Sequence, residues 1–204
     1  MIRIVVFLLL LTTSYGQVIE NYKIFVDSIP YDFGFDKVYT LKTKSGEKFN
    51  AKIVMKDTLT YNDGRISFKY LKENSLTVSD IVDTTISGIS VLNTLGNGFT
   101  VQIHSSFNPS IMLDAILSKI IQRYIRDGYV NNESKFTKTL KNGQEFIGKT
   151  SLLKLKEKRK QFSVAVWGEN NRGFLIIMML HNFVSPKLGE EIIDLLWDSL
   201  EILE

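Results

Sequence analysis

From Arg172 to Leu180 the chain reads Arg-Gly-Phe-Leu-Ile-Ile-Met-Met-Leu, apolar at every position after Gly173. Side chains alternate with period two along a strand, so Phe174, Ile176, Met178 and Leu180 point one way and Leu175, Ile177 and Met179 the other. A strand that is apolar on both faces must be covered on both, which demands a central place in a sheet. Its partner precedes it: Phe162, Val164 and Val166 alternate with Ser163, Ala165 and Trp167, and Gly168-Glu169-Asn170-Asn171-Arg172-Gly173 supplies the reversal. The expectation is a β-hairpin at the centre of a sheet.

Two amphipathic segments are available to cover it. Asn108-Pro109-Ser110 caps and opens a helix expected over 109–127, with Leu113, Ile116, Leu117, Ile120, Tyr124 and Ile125 on one broad face and Gly128 as its stop. Ser185-Pro186 opens a second over 186–198, where Leu188, Ile192, Leu195 and Leu196 repeat at helical spacing and Trp197 is a packing residue. Glu190 and Glu191 suit the positive end of that helix without any catalytic role. The tail Ser199-Leu200-Glu201-Ile202-Leu203 alternates and can add a terminal strand.

At the other end, Arg3 precedes the apolar run Ile4 to Leu11, followed by Thr12-Thr13-Ser14-Tyr15-Gly16. This is the layout of a signal peptide cut between Gly16 and Gln17; the run falls well short of the ~20 apolar residues that span a bilayer, so no stable membrane span is expected after cleavage. The chain is therefore expected to be exported, to a periplasm or beyond the cell. There is no cysteine, so neither a disulfide framework nor a lipid-modified cysteine can hold or anchor it. Removing residues 1–16 from 204 leaves 188, and losing Arg3 lowers the net charge from +3 to +2. A balance so near neutral argues against a nucleic-acid partner, which calls for a large clustered excess of Lys and Arg.

In chain order, 17–36 reads as an extended lead-in carrying Tyr22, Phe25, Tyr31, Phe33 and Phe35, and 37–204 as one domain. Within it, 38–43 and 48–55 form a hairpin about Lys44-Ser45-Gly46-Glu47, and Asn62-Asp63-Gly64 turns into a strand through Ile66, Phe68 and Tyr70. Residues 73–79 read as a loop, and 84–95 as a strand broken near Gly88. Gly96-Asn97-Gly98 turns into Phe99, Val101 and Ile103, which alternate with Thr100, Gln102 and His104. Asn142-Gly143 is the strongest short hairpin signal, and Gly148 in the strand after it marks a bulge.

Few residues carry chemistry. His104 falls on the polar set of its strand and reads either as a ligand-binding or catalytic group or as a histidine at a solvated edge. His181 ends the apolar strand, where polar groups often emerge. Lys154, Lys156, Lys158, Arg159 and Lys160 form a dense basic run around Glu157, either a patch for a polyanion or anionic lipid or a solvated hairpin tip. No metal-spaced cluster, nucleophile elbow or phosphate loop occurs, so no cofactor and no metal are expected.

The element order, together with Phe99-Thr100-Val101-Gln102-Ile103, Asn142-Gly143-Gln144-Glu145-Phe146, Gly173-Phe174-Leu175-Ile176-Ile177 and Asp198-Ser199-Leu200-Glu201-Ile202, resembles the PsbP-like and Mog-type domain family over residues 64–203. The resemblance implies an α+β fold, an antiparallel β-sheet sandwiched by two main helices. It also implies a non-enzymatic accessory or binding protein, with no catalytic motif to carry over. The expected function is thus an exported binding protein with an unidentified protein partner. The alternatives are a secreted hydrolase-type enzyme that brings His104 or His181 to a carboxylate, and a carrier of apolar ligands using Met178, Met179 and nearby aromatics.

Overall fold

A computed structural model describes residues 22–33, 37–52, 57–82, 85–181 and 186–203. The expected signal peptide and its cleavage point lie outside these residues. The chain divides into two compact units, Met1–Met55 and Lys56–Glu204.

In the first unit β1 (Tyr22–Val26) pairs with β2 (Ile29–Phe33), and β3 (Val38–Lys42) with β4 (Lys48–Lys52), both antiparallel. Asp27 and Ser28 take φ of 49° and 67°, the handedness that a two-residue hairpin turn needs. Residues 22–33, part of the stretch expected as an extended lead-in, form a hairpin, and Phe25 is exposed. The Tyr31 hydroxyl ties the two hairpins together, donating to the Lys42 carbonyl at 2.8 Å and accepting from the Lys42 N–H at 3.1 Å.

The second unit contains β5 (Thr58–Asn62), β6 (Ile66–Leu71), β7 (Ser75–Val82), β8 (Ile86–Leu92), β9 (Gly98–His104), a 3-10 turn (Pro109–Met112), α1 (Leu113–Arg126), β10 (Val130–Thr139), β11 (Glu145–Leu155), β12 (Lys158–Glu169), β13 (Arg172–His181), α2 (Pro186–Ser199) and β14 (Glu201–Ile202). Seven strands form one antiparallel sheet in the order β10-β11-β12-β13-β9-β8-β7, and β14-β6-β5 form a smaller one. The chain is a β-rich protein with antiparallel sheets and two α-helices among the described residues. The apolar strand β13 sits between β12 and β9, the interior place its two apolar faces require.

Alternation along β13 feeds two separate cores. Phe174, Ile176 and Met178 join Ile66 and Phe68 of β6, Phe99 and Val101 of β9, and Ile192, Leu196 and Trp197 of α2. Leu175 joins Val164 and Phe162 of β12 with Leu117, Ile121 and Tyr124 of α1, and Ile177 and Met179 pack against that group. Met178 and Met179 thus enter different cores and do not line a common cavity. The expected terminal strand forms as β14, which pairs with β6 and brings Ile202 under it.

Several local readings are corrected by longer-range packing. Residues 73–79, expected as a loop, contribute most of β7, because Leu76 and Val78 find β8 as a partner. Gly88 does not break β8: it is buried and paired with Gln102 on one side and Ser79 on the other. Gly148 marks no bulge either, since the β10–β11 and β11–β12 registers run through it unbroken. Its missing side chain makes room for the Phe136 ring, whose Cζ would lie 2.3 Å from any Cβ placed there. The expected helix over 109–127 begins as the 3-10 turn, with Asn108 Oδ1 accepting the Ser110 N–H at 2.9 Å. Its buried line is Leu117, Ile121 and Tyr124, spaced four and three, which leaves Ile125 46% exposed.

Candidate functional site

The two histidines are far apart. His104 lies opposite Gly173 at one end of β13, and His181 opposite Lys160 at the other. Eight residues of strand separate those positions, about 26 Å at the rise of an extended chain.

His104 is 2% exposed, on a strand interior to the sheet, which corrects its expected place on a solvated edge. The polar alternation holds, but Gln102 and Thr100 on the same face are half-buried rather than exposed. Beside His104, Gly168 and Gly173 face each other across β12 and β13. A Cβ on Gly168 would meet Asn108 Oδ1 at 2.0 Å, and one on Gly173 would meet Pro109 Cδ at 2.6 Å. The two glycines therefore let the turn rest on bare backbone, and Phe107 closes over the imidazole at 4.5 Å between ring centroids. Neither ring nitrogen of His104 has a hydrogen-bond partner, and burial pushes its pKa down.

A cleft of about 250 Å³ opens at the same end of the sheet, lined by Arg65, Trp167, Arg172 and Phe174 with Ile103, His104, Ser105 and Gly173. Strand alternation puts Ile103, Trp167 and Phe174 on the α2 side and the His104 ring on the α1 side, so His104 borders this cleft chiefly by its main chain. Arg65 at its rim is already paired, donating from Nη2 to Asp63 Oδ2 at 2.6 Å and from Nε at 3.1 Å. Burial works to raise the Asp63 pKa, but hydrogen bonds from the Ile66 and Arg65 N–H groups and from the guanidinium outweigh it, and the carboxyl is held below its ordinary value. The charge of Arg65 is thus answered from within the fold.

The opposite end differs. Lys160 Nζ lies 3.4 Å from His181 Nδ1 and 5.4 Å from the centroid of the Tyr124 ring. Arg123 Cζ lies 4.6 Å from the same centroid, and its Nη2 donates to the Tyr124 hydroxyl at 2.7 Å. Tyr124 is 8% exposed and stacked on Phe162, with centroids 5.3 Å apart, so the ring to which both cations hold is itself fixed by the core. The His181 N–H donates to Asn97 Oδ1 at 2.6 Å, tying the end of β13 to the turn before β9. Burial, Lys160 and Arg123, in that order, depress the His181 pKa. An ammonium can only donate, so a neutral His181 accepts from Lys160 at Nδ1 and carries its own proton on Nε2. Among the described residues neither Arg123 nor Lys160 forms an ion pair with a carboxylate.

The basic run divides between the faces of its hairpin. Lys154 pairs in register with Arg159, Leu155 with Lys158, and Leu153 with Lys160. Lys158 and Lys160 alternate with Arg159 and follow the direction of Phe162, toward α1; Lys154 and Arg159 turn the other way, and Lys156 sits in the turn at φ 55°. Sequence reasoning singles out Lys160 and His181 as site candidates and Arg123 only, with Lys119 and Arg126, as a basic residue of a helix that could lie on a membrane surface; Tyr124 it reads as core. The signal for that pair was Arg123 on the polar side of a helix whose buried line ends in tyrosine. Among the described residues no three His, Cys, Asp or Glu side chains come together as a metal site.

No family model and no curated protein matches the sequence. Among solved structures the chain is similar to cyanobacterial PsbP (CyanoP) from Synechocystis sp. PCC 6803, at 8% identity and a TM-score of 0.46, over 74% of this chain and 96% of that one. The likeness is weak and lies at the level of the fold.

Proposed function

We propose that this chain is an exported, non-catalytic binding or accessory protein, built as an antiparallel sheet between two helices and acting through an anionic partner. The observation that carries this reading is the gathering of Arg123, Lys160 and neutral His181 around Tyr124 without a carboxylate. General acid–base chemistry needs a proton acceptor held and oriented by a second group within hydrogen-bond reach. Among the described residues the charged groups beside the His181 ring are cations, Lys160 and Arg123, with Phe162 packed against it, and His104 lies under Phe107 about 26 Å away along the strand. That no carboxylate stands beside either ring among the described residues favours the binding reading over the hydrolase alternative. The two-layered covering of the sheet is supported by the separate cores that α1 and α2 build on opposite faces of β13.

Expression of the full chain with a C-terminal tag tests the reading. The expected product lies outside the cytoplasm, starts at Gln17 and retains a protein partner from an envelope extract. An uncut chain in the cytoplasmic fraction, or turnover of ester or phosphate substrates abolished by H181A, would overturn it.

A further inference from the structure

We infer that Arg123, Lys160 and His181 form a binding site for a phosphate group, with Tyr124 as its floor. The inference deepens the binding reading above and rests on it. Three nitrogen groups from three elements, α1, β12 and β13, converge here, two of them full cations. Like charges brought together on a ring held in the core repel, and a fold that keeps them so lacks the counter-charge, since no carboxylate pairs with either cation among the described residues.

Charge and geometry both select the ligand class. A carboxylate brings one negative charge and is satisfied by one bidentate partner, whereas a phosphate monoester brings about −1.5 to −2 and three acceptor oxygens directed tetrahedrally. Two cations and a neutral imidazole match the second description. Arg123 spends one N–H on the Tyr124 hydroxyl and keeps others to give; Lys160 is a point charge with three donors; His181 offers Nε2–H. Lys158, on the same side of β12, adds a further cation within a strand repeat. Both a soluble phosphate ester and the phosphate headgroup of a lipid carry this chemistry.

The test uses the mature chain, Gln17 to Glu204, titrated by NMR with inorganic phosphate and separately sedimented with vesicles of phosphatidylcholine alone or mixed in equal parts with phosphatidic acid. Binding should perturb the Tyr124 and His181 signals, and R123Q and K160Q should each weaken it about tenfold or more, the loss of one charge-assisted hydrogen bond. K154Q, which turns to the other face, should bind as the parent does. K160R should restore most of the affinity, which a general loss of folding would not allow. Saturation by inorganic phosphate identifies a soluble ligand; binding only to phosphatidic acid vesicles identifies a headgroup. Failure of both, or equal weakening by K154Q and K160Q, overturns the site. If a protein partner is still recovered in that case, the broader binding reading survives without this site.

Discussion

Gly98→Ala is expected to destabilise the second unit by about 4 kcal/mol, combining roughly 1 to 3 kcal/mol for a side chain at positive φ with a similar term for overpacking. Gly98 opens β9 at φ 146°, and a Cβ there would lie 2.0 Å from the Val91 carbonyl oxygen and 3.0 Å from its carbon. The obstacle is backbone, not a side-chain tip that could swing away. Val91 and Leu92 are held in β8 by β9 on one side and β7 on the other, so relief would have to break a ladder. Since a domain of this size is stable by only about 5 to 15 kcal/mol, the loss should be visible as a large fall in the urea midpoint. Gly143→Ala isolates the backbone part: φ is 86°, but nothing lies within 4 Å of the added Cβ, and a cost of about 1 to 2 kcal/mol is expected. Equal midpoints for the two variants would show that the clash with Val91 is relieved and the argument is mistaken.

How much of this was legible in the sequence depends on the range of the interaction that decides each element. The strand from Phe174 to Leu180 announced its own environment, because seven consecutive apolar residues leave no solvent face, and the structure gives it partners on both sides. The Asn142-Gly143 and Asn62-Asp63-Gly64 turns and the Asn108 cap were equally readable, since each is settled within a few residues. Glu73 to Ser79 was misread because β7 exists only through pairing with β8, Gly88 because it is paired in the ladder on both sides, and Gly148 because a glycine's local signal does not distinguish a bulge from a place where a neighbour approaches. The site was half legible. Lys160 and His181 stood out by composition, but their meeting with Arg123 over Tyr124 depends on where α1 crosses β12, a packing fact with no local trace.

His104→Leu is expected to leave the chain as stable at pH 7, or to stabilise it by about 1 kcal/mol, an unusual outcome for a change at a residue 2% exposed. The reason is that both ring nitrogens are buried without partners, a burden of about 1 to 3 kcal/mol that leucine does not carry. The same group makes stability depend on pH. Burial lowers its pKa in the fold, so below the unfolded value near 6.5 the unfolded chain takes up a proton that the folded chain resists. Stability is then fully present above about pH 6.5 and declines as pH falls from there toward the folded pKa, by up to about 1.4 kcal/mol per pH unit. His181 acts in the same sense, through burial, Lys160 and Arg123. Asp63 has a lowered carboxyl pKa and contributes only at more acid pH. Urea midpoints between pH 7.5 and 5 should therefore fall less steeply for H104L than for the parent, and parallel profiles would refute this account of His104. Phosphate affinity of H104L at pH 7 should equal that of the parent, because its ring lies at the other end of β13 from Lys160 and His181. The two measurements on the same variant thereby separate the buried ring of His104 from the anion site proposed at His181.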